Sequence, residues 1–178
     1  PVQSGSDSVL RRMKRAYNRK QYLTRVQKLR RAVLNVAITT DIIVGFPGET
    51  AEEFQETVTL LDEVRFDNIF AFKYSKRPYT PARLYDRQVP SAVGRERLNR
   101  ALELQNSITL LKNQACVGRE FDILIEGESK KDREKLTGRT RTNKIVHITK
   151  GDRILIGDLV RVRIASATLA SLTGEVIG

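Results

Sequence analysis

A carboxylate, a glycine-broken turn and a helix cap follow one another in Thr39-Thr40-Asp41-Ile42-Ile43-Val44-Gly45-Phe46-Pro47-Gly48-Glu49-Thr50. Asp41 heads an apolar run, and burying a carboxylate there needs a reason, such as a partner that offsets its lost hydration. Ile42, Ile43, Val44 and Phe46 suit a strand buried on both faces. Gly45, Pro47 and Gly48 break that strand. Thr50 and Glu53 stand at capping-box spacing, and Glu52 and Glu53 fall at the positive end of a helix. A strand that enters a helix through glycines is where α/β proteins bind ligands, at the carboxyl ends of strands. The same residues also read as a structural strand-to-helix loop, with Asp41 solvated at the strand edge.

The elements that would position this turn can be read on either side of it. Val2 to Ser4 reads as a strand end, and Ser6 or Asp7 can cap a short helix running through Arg15. Asn18 can cap a second helix to about Val33, with Tyr22, Val26, Leu29 and Val33 on one stripe. The spacing predicts a strand over Val36 to Val44, a helix over Thr50 to Val64 and a strand over Asn68 to Tyr74. A loop with Pro78 and Pro81 follows, then a long helix from Pro90 or Ser91 to about Gln114. Alternating strands and helices call for a parallel sheet, either a barrel or a doubly wound sheet. Near Val117-Gly118 the period changes from 3.6 to 2. Phe121, Ile123 and Ile125 alternate with Asp122, Leu124 and Glu126, and Val160, Val162 and Ile164 with Arg161 and Arg163. Leu136 to Thr142, Lys144 to Thr149, Arg153 to Ile156 and Leu172 to Ile177 are further short segments. Glycine-punctuated strands of this length predict a small OB-like antiparallel barrel.

Composition narrows the chemistry. Forty per cent of the 178 residues are hydrophobic, enough for a core, and no apolar run is long enough to span a membrane. The single cysteine, Cys116, excludes an internal disulfide and a cysteine cluster, and with one histidine a metal site would need carboxylates. A cytoplasmic, metal-free chain is expected. Pro1-Val2-Gln3 reads as the middle of a strand without an initiator methionine, which implies a piece excised from a longer protein. The net charge of +11 is uneven, with ten Lys and Arg against Asp7 alone between Pro1 and Val33. Such a face attracts polyanions, nucleic acid first, unless acids elsewhere in the protein balance it.

Four segments together resemble the methylthiotransferase branch of the radical S-adenosylmethionine (SAM) enzymes. They are Pro1 to Ser6, Thr40 to Thr50, Phe72-Lys73-Tyr74-Ser75-Lys76-Arg77-Pro78-Tyr79-Thr80-Pro81-Ala82, and the terminal barrel, which looks like an RNA-binding TRAM domain. The stretch Leu136-Thr137-Gly138-Arg139-Thr140-Arg141-Thr142-Asn143-Lys144 resembles the branch that acts on tRNA. The resemblance implies the C-terminal half of a partial (β/α) radical SAM barrel over residues 1–115 and a TRAM domain over 116–178. It implies an enzyme that adds a methylthio group to carbon 2 of isopentenyl-adenosine 37, in the anticodon stem-loop of tRNA. SAM and two 4Fe-4S clusters would be its cofactors, with cluster ligands and catalytic residues outside this piece, which alone would be inactive. A cytoplasmic monomer is expected. Sister enzymes acting on threonylcarbamoyl-adenosine 37 or on a ribosomal-protein aspartate, and a non-catalytic RNA-binding module, are the alternatives.

By the same resemblance Gln3 would contact the SAM ribose, with Ser4 and Ser6 as weaker candidates. Arg15, twelve positions on, would hold the SAM carboxylate through its bidentate, permanently charged guanidinium. Asp41 would accept from the ribose hydroxyls or the amino group. Ile43, Gly45 and Phe46 would pack near the adenine, and Tyr74 would bound it. The superfamily's GxIxGxxE pattern is only partly met, because Asp41 replaces the first glycine and Glu49 comes one residue late. Arg77, Lys130, Lys131, Arg139, Arg141, Asn143 and Lys144 would contact RNA.

Overall fold

A computed structural model describes every residue except Lys131, Asp152 and Gly178. The chain divides into two compact units, Pro1–Ile108 and Thr109–Gly178.

The first unit holds α1 (Asp7–Arg12), α2 (Arg19–Ala32), β1 (Thr39–Val44), α3 (Ala51–Val64), β2 (Asn68–Lys73) and most of α4 (Ser91–Gln114). The expected Thr50–Glu53 capping box and the expected Asn18 cap are both present, the latter completed as a capping box by Gln21. Asn18 accepts from the Gln21 N–H and Thr50 from the Glu53 N–H, and the Gln21 and Glu53 side chains accept from the cap N–H groups. β1 and β2 pair in parallel, with Thr39 opposite Asn68 and Val44 opposite Lys73. The third parallel element is a single bridge, Gln3 to Ile42, on the other side of β1.

Several sequence expectations change. α1 ends at Arg12 rather than Arg15, because Met13 leaves the helix and Lys14 turns left-handed at φ 58°. Neither Ser6 nor Asp7 caps it through a side chain; the Asp7 carboxylate instead accepts the Arg19 N–H at 2.7 Å. β1 begins at Thr39 instead of Val36, and it is buried on one face, not two. Its inward residues Ile42 and Val44 join Leu60, Leu61 and Phe66 in one core cluster, and buried Thr40 accepts the Val2 N–H at 2.8 Å. The loop after β2 contains one 3-10 turn, Pro81–Leu84.

The second unit is a closed barrel of β3 (Glu120–Glu128), β4 (Lys135–Thr140), β5 (Ile145–Thr149), β6 (Leu159–Ala167) and β7 (Leu172–Val176). Its order is β3-β4-β5-β7-β6, with β6 closing on β3. One pair, β5 with β7, is parallel; the other neighbours are antiparallel. Arg153 to Ile156 forms a turn and not a strand, held where the Leu155 N–H donates to Asp158 at 2.8 Å. Ile123, Ile125, Leu136, Val146, Ile148, Val162, Ile164 and Leu172 fill the interior, as the period-2 pattern requires.

Gly5 shows how tightly α3 packs. A Cβ there would fall on the Glu56 carbonyl oxygen and 2.6 Å from Thr57 Cα, both backbone atoms that cannot step aside. Gly5→Ala is therefore expected to destabilise the chain by about 3 kcal/mol. Urea unfolding followed by circular dichroism checks this, and an unchanged midpoint would refute the packing argument.

Candidate functional site

The outward face of β1 carries Thr39, Asp41 and Ile43. In register with it, β2 presents Phe70 opposite Asp41 and Phe72 opposite Ile43. Phe70 and Phe72 are 53% and 55% exposed, so this face has an apolar floor that the rest of the unit does not cover. At its carboxyl end lies a cleft of about 320 Å³, lined by Ile43, Phe46, Phe72, Tyr74, Arg77 and Thr80 among others. Phe46 meets Tyr74 edge-on at 5.2 Å between ring centres, and Tyr85 edge-on at 6.2 Å. The Tyr74 hydroxyl is buried without a hydrogen-bond partner, and burial pushes its pKa up. An apolar, aromatic cleft of this size suits a flat heterocycle.

Of the residues expected to bind a cofactor, Ile43, Phe46 and Tyr74 share this cleft. Arg77, expected at RNA, lines it too. Asp41 is half-buried two residues before Ile43 on the same face; it is third of six in its strand and not at the strand end. Gln3 flanks it: the Gln3 N–H donates to the Asp41 carbonyl at 3.0 Å and the Gln3 carbonyl accepts the Ile43 N–H at 2.9 Å. Gln3 holds φ 69°, a costly conformation for a residue with a Cβ, and is buried. The remaining candidates lie apart from the cleft. Ser4 is fully buried, and its hydroxyl is engaged with Thr57 Oγ1 at 3.2 Å and with the Ser6 N–H. Arg15 is exposed beyond the end of α1 and has no carboxylate partner among the described residues.

Gly45 takes φ 70°, which frees its N–H to donate to Glu49 Oε2 at 2.6 Å. Arg97 of α4 pairs with the same oxygen at 2.7 Å and also donates to the Glu49 carbonyl at 2.9 Å. The Glu49 side chain is wholly buried, and that burial pushes its pKa up against the opposing pull of the Gly45 N–H and Arg97. Helix capping belongs instead to Thr50 and Glu53. Arg12 grips Glu53 through both oxygens, at 3.0 and 2.6 Å, and holds its pKa below the usual range. Sequence reading noted Glu49 only as one residue late in the superfamily pattern and had no signal for Arg97, forty-eight positions away.

In the barrel, Arg139 donates from Nε to Glu126 at 2.9 Å and from Nη1 to Asn143 Oδ1 at 2.9 Å. Lys144 Nζ reaches Asn113 Oδ1 at 2.7 Å. These three expected RNA contacts thus already have partners within the barrel unit. Arg141 and Lys130 are exposed, and Lys131 lies outside the described residues. Among the described residues, no group of three or more His, Cys, Asp or Glu is gathered as a metal site, and Cys116 is buried. No helix of the described residues is long and apolar enough to cross a membrane.

Residues 1–61 match the model of the radical SAM superfamily and residues 114–177 that of the TRAM domain. The chain is thus similar to the radical SAM superfamily over roughly its first third and to TRAM domains over roughly its last third. Proteins called tRNA-2-methylthio-N(6)-dimethylallyladenosine synthase match it over 99% of its length: 50% identical in Moorella thermoacetica and in Clostridium botulinum strain Hall, 49% in Thermoanaerobacter sp. strain X514. The chain spans 40%, 39% and 37% of those relatives.

The buried pair makes a sharp prediction. Arg97→Leu leaves the Glu49 charge buried with only the Gly45 N–H, and should cost about 3–5 kcal/mol. Adding Glu49→Gln should recover much of that loss, because a neutral amide needs no counter-charge. Equilibrium denaturation of the single and double variants measures the difference, and additive losses would show that the two side chains do not act as a pair.

Proposed function

We propose that this chain is the C-terminal portion of a radical SAM tRNA methylthiotransferase that modifies carbon 2 of isopentenyl-adenosine 37. The observation that carries this reading is the open face of β1 and β2 ending in an aromatic cleft. The names of the matched relatives support the substrate. Residues 1–115 would serve the cofactor and residues 116–178 the RNA, in a cytoplasmic monomer that binds the anticodon stem-loop.

The residues present fit SAM. Phe46, Tyr74 and Ile43 would flank its adenine, Asp41 would accept from its ribose or amino group, and Gln3 holds the backbone beside Asp41 in place. Bound SAM supplies the radical-initiating and methyl-donating chemistry. The chain's own part is to exclude water from the ring and to fix its orientation. The residues present do not fit an iron-sulfur cluster, which needs thiolates that one buried cysteine cannot supply. The clusters belong in this reading to the rest of the protein.

In the protein completed with its upstream part, Asp41→Ala should weaken SAM about tenfold or more, the loss of a hydrogen bond to an ionised group. Tyr74→Phe should weaken it less. Equilibrium titration with SAM reads both, with circular dichroism as the folding control. Unchanged affinity in both variants would sink the assignment of this cleft.

Nonspecific RNA attraction falls to α2, which contains no acid. Arg19 pairs with Glu63 and Arg30 donates to the Val64 carbonyl, whereas Lys20, Arg25, Lys28 and Arg31 stay exposed without an ion-pair partner among the described residues. Lys20→Ala with Lys28→Ala should weaken modifiable and unmodifiable stem-loops alike and flatten the slope of log affinity against log salt by about two. A loss confined to the modifiable RNA would contradict this role.

A further inference from the structure

The loop after β2 makes one tight turn, and a tyrosine stands near its tip. In Arg77-Pro78-Tyr79-Thr80 the Thr80 hydroxyl donates to the Arg77 carbonyl at 2.9 Å. Pro78 holds the second position of the turn and Tyr79 the third, at φ 63°. Proline fixes a negative φ, so a positive φ after it defines a type II turn, whose third position glycine fills without strain. Tyrosine fills it at a cost. Packing does not repay that cost, because Tyr79 stands wholly in solvent. Neither the turn nor a core accounts for an aromatic ring at this place.

The turn is well anchored and sits beside the cleft. Thr80 leads into the 3-10 turn Pro81–Leu84, and the Arg83 N–H donates to the Thr80 carbonyl at 3.1 Å. Arg77 and Thr80, on either side of the tip, both line the aromatic cleft. Tyr79 is thus held at the rim of the cleft and outside its lining. The surroundings are cationic. From Lys73 to Arg87 the chain carries Lys73, Lys76, Arg77, Arg83 and Arg87 against Asp86 alone. All five cations are exposed, and none has an ion-pair partner among the described residues.

An exposed ring among unneutralised cations fits a polyanion that displays flat faces. A single-stranded nucleic acid does so, since its phosphates meet the cations and an unpaired base stacks on the ring. A duplex would meet the cations but keeps its base faces within its own stack. An acidic peptide would also meet the cations, yet it offers the ring no flat partner. We propose that Tyr79 stacks on one unpaired base of the RNA, a neighbour of the base presented to the cleft, with Lys76 and Arg77 on the adjoining phosphates. The inference rests on the reading of the chain as part of a tRNA-modifying enzyme, and it adds a residue that this reading left without a role. Every base has a face to stack, so Tyr79 selects a looped, unpaired strand and not a sequence.

Tyr79→Gly separates this role from a structural one, because glycine is the residue that the turn itself favours. Thermal unfolding of the full chain, followed by circular dichroism, should place its midpoint at or above that of the unaltered chain. In fluorescence anisotropy it should bind a labelled anticodon stem-loop at least about fivefold more weakly, while a blunt RNA duplex of the same stem shifts by less than about twofold. Tyr79→Asn, which also tolerates a positive φ, should behave like Tyr79→Gly and controls for the flexibility that glycine adds. Tyr79→Phe keeps the ring and should stay within about twofold of the unaltered chain on both probes. A lowered midpoint in both Tyr79→Gly and Tyr79→Asn would show that the ring serves the fold, and overturns the proposal. Unchanged stem-loop binding, equal loss on both RNAs, or a Tyr79→Phe loss as large as that of Tyr79→Gly overturns the stacking role while leaving the RNA reading intact. No binding of either RNA by the unaltered chain overturns the RNA reading and the stacking role together.

Discussion

The first unit depends on one buried carboxylate. Glu49 binds the Gly45 N–H from one side and the Arg97 guanidinium from the other, so the end of β1, the start of α3 and the body of α4 are tied at one point. Removing two charges from water is costly, and such a pair rarely adds net stability over an apolar equivalent. What it adds is definition. Gly45 and Gly48 both hold positive φ, and glycine has little conformational preference of its own, so contacts from outside the loop must fix it. With the loop fixed, Phe46 stands against Tyr74 and Tyr85, and the cleft has a wall. Glu49 Oε1 has no partner, so the network is not saturated, consistent with the upward pull of burial on its pKa.

A net charge of +11 could suggest a uniformly sticky surface. The structure sorts the cations instead. Arg12, Arg97 and Arg19 are used internally, on Glu53, Glu49 and Glu63, and so join α1, α2 and α4 to the acidic helix α3 and its leading loop. The outer side of α2 has no acid to answer its lysines and arginines. In the barrel, pairs such as Arg161 and Arg163 with Glu120 join neighbouring strands across β3 and β6. Exposed pairs of that kind contribute little stability. They do cancel charge locally across β3 and β6, although the barrel unit as a whole remains basic.

How far the sequence could be read depended on the range of the interaction. Thr50 and Glu53 lie three residues apart and Asn18 is a capping residue type, so both helix starts were legible locally; the Gln21 half of the Asn18 box was not read. The barrel interior was legible from strict alternation, as at Ile123 and Ile125. The end of α1 was not, because Lys14 adopts a left-handed conformation that nothing in Met13-Lys14-Arg15 announces. Arg153 to Ile156 has the composition of a strand, yet the Asp158 carboxylate captures the Leu155 N–H and makes it a turn. Ile42-Ile43-Val44 looked buried on both sides, whereas Ile43 opens on the cleft. Glu49 with Arg97 was invisible, because the pair needs a packing that only the folded chain supplies.

The two units share one construction. In each, inward residues at alternate positions lock a strand by filling a core: Thr40, Ile42 and Val44 in one unit, Val146 and Ile148 in the other. The outward residues between them are then held without contributing to that core. Asp41 and Ile43 are positioned by their neighbours, and so is His147. Outward positions can therefore be chosen for what they touch outside, which explains how similar strands carry an aromatic floor in one place and the hydrogen-bonded Thr137 and His147 in another. Where a side chain does both tasks, the compromise shows. Tyr74 meets Phe46 edge-on but leaves its buried hydroxyl unsatisfied, a cost carried for the packing of its ring.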